Sequence, residues 1–190
     1  SMPSTLNTLA LAHRFLQEQV KPGAFCIDAT AGRGRDTAFL CSLVGPQGRV
    51  LAFDIQQAAV DSTRALLEEK GYSSIAQVVL DSHSHMARYA EPQTVDCVVF
   101  NLGWLPGGDH TVFTTADTTI PAVEAALELL RPGGVCCLCI YYGGASGTQE
   151  RDALLPFLES LDSDRYTVII SRFANRPGDP PIPVFLYKDA

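Results

Sequence analysis

Phe25-Cys-Ile-Asp-Ala-Thr-Ala-Gly-Arg-Gly-Arg-Asp-Thr37 decides the fold. It reads as a short apolar strand (Phe25 to Ile27), a tight loop (Ala29 to Gly34) and the start of a helix near Asp36. Gly32 and Gly34 let the backbone turn sharply and approach a ligand with no Cβ in the way. The next apolar run, Arg49-Val-Leu-Ala-Phe-Asp54, ends on a carboxylate at the spacing that suits a grip on ribose hydroxyls. Strand, glycine loop, helix, strand and acid follow one another as in open α/β sheets that take a nucleoside beyond the strand carboxyl ends.

The dinucleotide fingerprint is incomplete, because Thr37 stands where a third glycine or alanine belongs. Asp28 at the mouth of the loop would repel a pyrophosphate and attract an amino-acid ammonium. S-adenosylmethionine carries an ammonium, a sulfonium and a ribose but no phosphate. The pattern therefore favours a methyltransferase nucleoside site, with a nicotinamide site as the rival.

The rest of the chain alternates in the same way. Helices are predicted over Thr5 to Val20 (Leu9, Leu16 and Val20 as its apolar stripe), Asp36 to Val44, Gln56 to Lys70, Met86 to Ala90, Thr118 to Leu130 and Gln149 to Ser160. Strands are predicted over Ile75 to Leu80, Val95 to Asn101, Val135 to Tyr141, Tyr166 to Ser171 and Pro183 to Tyr187, with Arg131-Pro-Gly-Gly134 as a turn. The expectation is one domain over residues 1–190, a doubly wound Rossmann-like, mostly parallel sheet with an antiparallel hairpin at one edge. Asp28, Asp54, Asp81, Asn101 and Tyr141 each stand at or just after the end of an apolar strand, where such sheets bind ligands.

The 190 residues carry a formal charge of −7, which argues against a long nonspecific nucleic-acid track and leaves room for a compact RNA contact or a small substrate. Six cysteines lie in apolar runs without zinc spacing, so no metal is expected and the thiols read as small core residues. No apolar run is long enough to span a membrane and no signal-like block is seen, so the expected location is cytoplasmic.

Asp81-Ser82-His83 can reach an adenine, or simply cap the next helix. Asn101 offers an amide carbonyl to an amine, Trp104 an aromatic face to a base, and Asp109 or His110 a proton acceptor. Leu102 to Thr115 is a long glycine-containing loop of the kind that carries function. His13-Arg14, Arg172, Arg176 and Lys188 read as solvated charges, with substrate or phosphate contact as the alternative.

Asp28-Ala-Thr-Ala-Gly-Arg-Gly-Arg-Asp-Thr37, Phe53-Asp-Ile-Gln56, Asp81-Ser-His83, Phe100-Asn-Leu-Gly-Trp-Leu-Pro-Gly-Gly-Asp-His110, Leu130-Arg-Pro-Gly-Gly134 and Ile140-Tyr-Tyr-Gly-Gly144 together resemble a family. It is the small bacterial class I methyltransferases labelled rRNA methylases, whose members methylate the aminomethyl group of the modified tRNA wobble uridine to give 5-methylaminomethyl-2-thiouridine. The resemblance implies a seven-stranded sheet and S-adenosylmethionine as donor. It implies cofactor contacts from Asp28, Gly32, Arg33, Gly34, Arg35, Asp36, Asp54, Gln56, Ser82 and His83, with Asp81 beside them. The acceptor amine would lie against Asn101 to His110, and the tRNA anticodon region would be the partner. The sequence shows no separate RNA-binding domain, so a homodimer is the expected source of further surface. Arg33, Arg35 and Gly144 depart from the asparagine, the histidine or asparagine, and the histidine common there. Three other readings stand beside this one: methylation of another RNA site such as rRNA, methylation of a small-molecule amine, and a non-catalytic nucleoside-binding module.

Overall fold

The structure, a computed structural model, describes residues 6–102, 116–141 and 145–190, with backbone alone for 116 and 145–150. The elements run α1 (Thr8–Gln19), β1 (Phe25–Asp28), α2 (Arg35–Val44), β2 (Arg49–Asp54), α3 (Gln57–Lys70), β3 (Ala76–Leu80), a 3-10 turn (His83–Arg88), β4 (Val95–Leu102), α4 (Ala116–Leu129), β5 (Leu130–Ile140), α5 (Ala145–Glu159), β6 (Tyr166–Ile170) and β7 (Ile182–Lys188). Seven strands form one sheet in the order β3-β2-β1-β4-β5-β7-β6. β1 to β5 pair in parallel, while β7 pairs antiparallel with both β5 and β6. The expected doubly wound sheet with its antiparallel edge is the observed one.

Strand alternation sends neighbouring residues to opposite faces. Ile27, Leu51, Phe53, Val98, Phe100 and Leu138 pack on one face with Ala122, Val123 and Ala126 of α4 and Leu154 and Leu158 of α5. Cys26, Val50, Ala52, Cys97, Val99 and Cys137 pack on the other with Ala12 and Leu16 of α1, Leu40 and Val44 of α2, and Val60 and Leu67 of α3. Both faces are covered, as a parallel sheet requires, and this explains the nearly continuous apolar run of β4. All six cysteines are free and buried, and burial pushes the Cys41 thiol up to about 12.

Three local expectations change. Leu9, expected in the apolar stripe of α1, is 44% exposed, while Phe15 is buried against Phe185 at 4.6 Å between ring centroids. The run Arg131 to Gly134 is not a turn before a strand but lies inside β5, where Leu130 already pairs with Val95. Gly133 takes φ +87° there, and the register shifts between Val95 and Cys97 absorb the extra residues as a bulge. The short helix expected from Met86 starts instead at His83, because the Ser82 hydroxyl accepts from the Ser84 N–H and begins the turn early.

The parallel order reverses between β1 and β4: the chain winds outward through β2 and β3 on one side and through β5 on the other. Ligands of open α/β sheets lie beyond the strand ends at such a point.

Candidate active site at the strand carboxyl ends

The loop after β1 is tied to its neighbours on every side. Ala29 N–H donates to the Val99 carbonyl of β4 at 2.8 Å, and Ala31 N–H to the Phe53 carbonyl of β2 at 2.9 Å. The Thr63 hydroxyl of α3 donates to the Gly32 carbonyl at 3.1 Å. Gly34 adopts φ +88°, and a Cβ there would stand 2.9 Å from the Thr63 Cα. Two demands, a left-handed backbone and no side chain, meet at this residue.

Asp28 is fully buried beneath the loop. Its oxygens accept from the Thr30 N–H at 3.1 Å and the Thr37 hydroxyl at 2.6 Å. Burial, with the Asp36 carboxylate nearby and Asp54 beyond it, raises its carboxyl to about 7 against the opposing pull of those two hydrogen bonds. Thr37, the residue that interrupts the dinucleotide pattern, is thus the partner of the buried acid.

Asp54 ends β2 with one oxygen on the Gly32 N–H at 3.0 Å and the other on the Gln56 N–H at 2.9 Å. It joins the glycine loop to the start of α3, and beside it Ile55 is 63% exposed. Asp81 follows β3. It accepts from the Tyr89 hydroxyl, His85 Nδ1 and the Ser82 N–H, each at 2.7 Å, and the first two lower its carboxyl to about 2. His83 is buried and tilted against Phe100; burial lowers its imidazole to about 4 against a hydrogen bond involving the Ala29 backbone. It is an uncharged wall under the first loop.

Asn101, near the end of β4, is held twice. Its N–H donates to the Thr30 hydroxyl at 2.7 Å, and its Nδ2 donates to Asp36 at 2.6 Å. The second Asp36 oxygen meets His13 Nε2 at 3.0 Å, and the His13 ring stacks on Phe39 with centroids 3.9 Å apart. A carboxylate only accepts, so it selects the NH2 side of the amide and leaves the Asn101 carbonyl oxygen turned away from it. Tyr141, which follows β5, donates its N–H to the Leu102 carbonyl at 2.8 Å, and burial raises its hydroxyl to about 12.

The structure therefore gathers Asp28, Gly32, Arg33, Gly34, Arg35, Asp36, Asp54, Gln56 and Asn101 through the first loop and its partners, with Asp81, Ser82 and His83 on the adjoining strand end. It adds His13, which the sequence leaves as a solvated charge, and Thr30 and Thr37, whose hydroxyls hold Asn101 and Asp28. A helix one element upstream carries no local sign that it will reach the loop. Trp104, Asp109, His110 and Gly144 lie outside the described residues. Lys188 belongs elsewhere: it is buried and donates to the carbonyls of Leu127 at 2.6 Å and Leu130 at 2.7 Å, so it does not reach out to a phosphate. Arg176 lies over the Phe173 ring.

A family model described as "Putative rRNA methylase" matches residues 50–187, and one for protein-L-isoaspartate(D-aspartate) O-methyltransferase matches residues 1–96. A chloroplastic tRNA (mnm(5)s(2)U34)-methyltransferase of Arabidopsis thaliana is 35% identical over 187 residues, covering 94% of this chain and 68% of the relative. The crystal structure of a "putative rRNA-methylase" from Clostridium thermocellum matches with TM-score 0.93 and 40% identity, over 98% of this chain and all of that one. A Streptococcus mutans methyltransferase solved in complex with SAH matches with TM-score 0.86 and 34% identity, over 97% and 99% of the two chains.

Proposed function

The chain belongs to the "Putative rRNA methylase" family and is an S-adenosylmethionine-dependent methyltransferase, and from that premise we propose that it methylates the aminomethyl group of 5-aminomethyl-2-thiouridine at the tRNA wobble position. The observation that carries this reading is the Asn101 amide fixed by Asp36 at the end of β4. An amide carbonyl held in one orientation can accept an N–H from a primary amine and aim the nitrogen lone pair. Most of the rate gain in such a transfer comes from this alignment. The Arabidopsis relative, named for methylation at U34, supports the choice of acceptor.

The residues at the strand ends suit the cofactor. Asp54 presents a carboxylate for ribose hydroxyls at the end of β2, and exposed Ile55 beside it offers an apolar face to a purine. Gly32 and Gly34, backed by Arg33 and Arg35, let the backbone approach the amino-acid part, and Gln56, Asp81, Ser82 and His83 border the base. Buried Asp28 acts through the loop that it holds. When bound, S-adenosylmethionine supplies an electrophilic methyl group on sulfonium sulfur. Asp36 orients Asn101, and His13 fixes Asp36 from the opposite side. Trp104 takes the base, and Asp109 or His110 accepts the proton that an alkylammonium must lose before it becomes a nucleophile.

The test is methyl transfer to tRNA carrying the unmethylated aminomethyl uridine, with calorimetry of S-adenosylhomocysteine beside it. Asn101→Ala should lower kcat about 100-fold and leave cofactor affinity within about threefold. Undiminished turnover in that variant would overturn the proposed role of Asn101. The family description favours rRNA as the second acceptor, and transfer to ribosomal subunits with none to tRNA would select it.

A further inference from the structure

Outside the strand ends, an open groove of about 710 Å³ runs between α2 and α3 and begins at His13 of α1. Arg33 and Arg35 line its upper end and Lys70 and Tyr72 its lower end, with Glu69 as the acidic residue on its wall. Asp28, Asp54, Asp81 and Asn101 do not line it, whereas Arg33 and Arg35 of the glycine loop do, so it is a surface that adjoins the proposed cofactor contacts and leads away from them.

Three features set its chemistry. First, the sign of the charge is inverted locally: three cations face one carboxylate, on a chain whose formal charge is −7. Arg33, Arg35 and Lys70 are all exposed at the surface. Second, the groove combines cations with the half-buried rings of Tyr72, Phe39 and His13, the pairing by which proteins follow a single strand through its phosphates and its bases. Third, it reaches the site: His13 both lines the groove and bonds Asp36, which holds Asn101. The α2 stretch that lines the groove, Arg35 to Ser42, spans about 12 Å, enough for two nucleotides rather than a single phosphate.

We propose that this groove is a docking track for single-stranded RNA, taking the phosphates of nucleotides that flank the methylated base. The track rests on the tRNA reading above for its occupant. Its cations give affinity without reading sequence, so the choice of target falls to the residues proposed to hold the base and its amine, Asn101 and those that follow it.

The experiment uses the full chain and a fluorescently labelled anticodon stem-loop RNA, titrated at 50 and 200 mM salt. Lys70→Glu and Ser62→Glu place negative charge on the groove wall at exposed positions of α3. Each should weaken stem-loop binding about five- to tenfold at the lower salt, and Lys70→Gln should flatten the salt slope by about 0.7, the loss of one phosphate contact on a single strand. Affinity for S-adenosylhomocysteine should stay within twofold and the melting temperature should not change. If the wild type binds and methylates the RNA while all three variants bind it equally well, the track is overturned and the acceptor stands. If the variants lose RNA binding but the wild type transfers no methyl group to the aminomethyl uridine, the track stands and the acceptor is wrong. Absence of salt-dependent RNA binding by the wild type overturns the track.

Discussion

Asp28 and Asp81 stand at the ends of two parallel strands in one sheet, and their carboxyl groups are driven in opposite directions. Asp28 ends the central strand β1, under a loop closed by β2, β4 and α3; burial and the Asp36 carboxylate raise it to about 7. Asp81 follows the edge strand β3, where water reaches it and three donors converge, and it falls to about 2. The same side chain thus serves two ends. At the centre of the sheet it organises backbone from beneath; at the edge it stays charged and ties a turn to the strand. Depth within the sheet, rather than residue type, decides which.

The largest effect should come from breaking the central end. Asp28→Ala removes the acceptor of the Thr30 N–H and the Thr37 hydroxyl, leaving two donors without their partner in a dry site. A loss of about 4 kcal/mol is expected, measured by urea unfolding. A loss under 1 kcal/mol would mean that Asp28 does not hold the loop.

The next prediction concerns pH. Asp28 is raised in the fold, so the folded state binds the extra proton between about 4 and 7; its contribution is present below pH 4 and lost as pH rises to 7. His83 is lowered to about 4, so its contribution is present above 6.5 and lost as pH falls to 4. The two slopes oppose each other over pH 4 to 6.5. Asp28→Asn, which keeps the shape and removes the titration, should therefore expose the His83 slope. Stability of this variant should fall by roughly 3 kcal/mol from pH 6.5 to 4, relative to its own value at pH 7. An unchanged pH profile in chemical denaturation would refute the opposition.

Gly34→Ala tests the wall against which the central loop is pressed. Left-handed backbone and a 2.9 Å approach to the Thr63 backbone should together cost about 2 kcal/mol, read as a lower unfolding midpoint. Cofactor affinity should weaken with it, since the loop must move.

The smallest effect belongs to the edge. Asp81 is lowered in the fold, so its contribution is present above about pH 4 and lost as pH falls to 2. Its side chain is partly exposed, and screening by water discounts the contribution to about 1 kcal/mol at most. Asp81→Asn should leave stability at pH 7 within that amount and reduce acid sensitivity below pH 4 alone.

Much of this molecule is legible along the chain. Arg49–Asp54 is read to the residue because an apolar run ends on an acid, and Gly71 closes α3 with φ +77°, a local demand that glycine announces. Where the reading fails, the deciding contact is distant. Leu9 has the helical spacing of a core residue but none of the described residues buries it, whereas Phe15 finds Phe185 and Tyr187 far along the chain. Arg131 to Gly134 has turn composition, and only pairing with β4 makes it a bulged stretch of strand. Lys188 looks like a solvated cation until the carbonyls of Leu127 and Leu130 capture it.

The sequence by itself determined the doubly wound order, the glycine loop and the row of polar residues that ends the strands, because apolar periodicity, glycine and strand-end acids are local signals. Its resemblance to a methyltransferase family pointed to the cofactor. Only the tertiary structure decided that Asp28 is buried while Asp81 is not, that Asp36 holds Asn101 in one orientation with His13 behind it, and that α2 and α3 leave a basic groove between them. Burial, hydrogen-bond partnership and groove shape depend on which distant surfaces meet, and that information appears only when the helices close over the sheet.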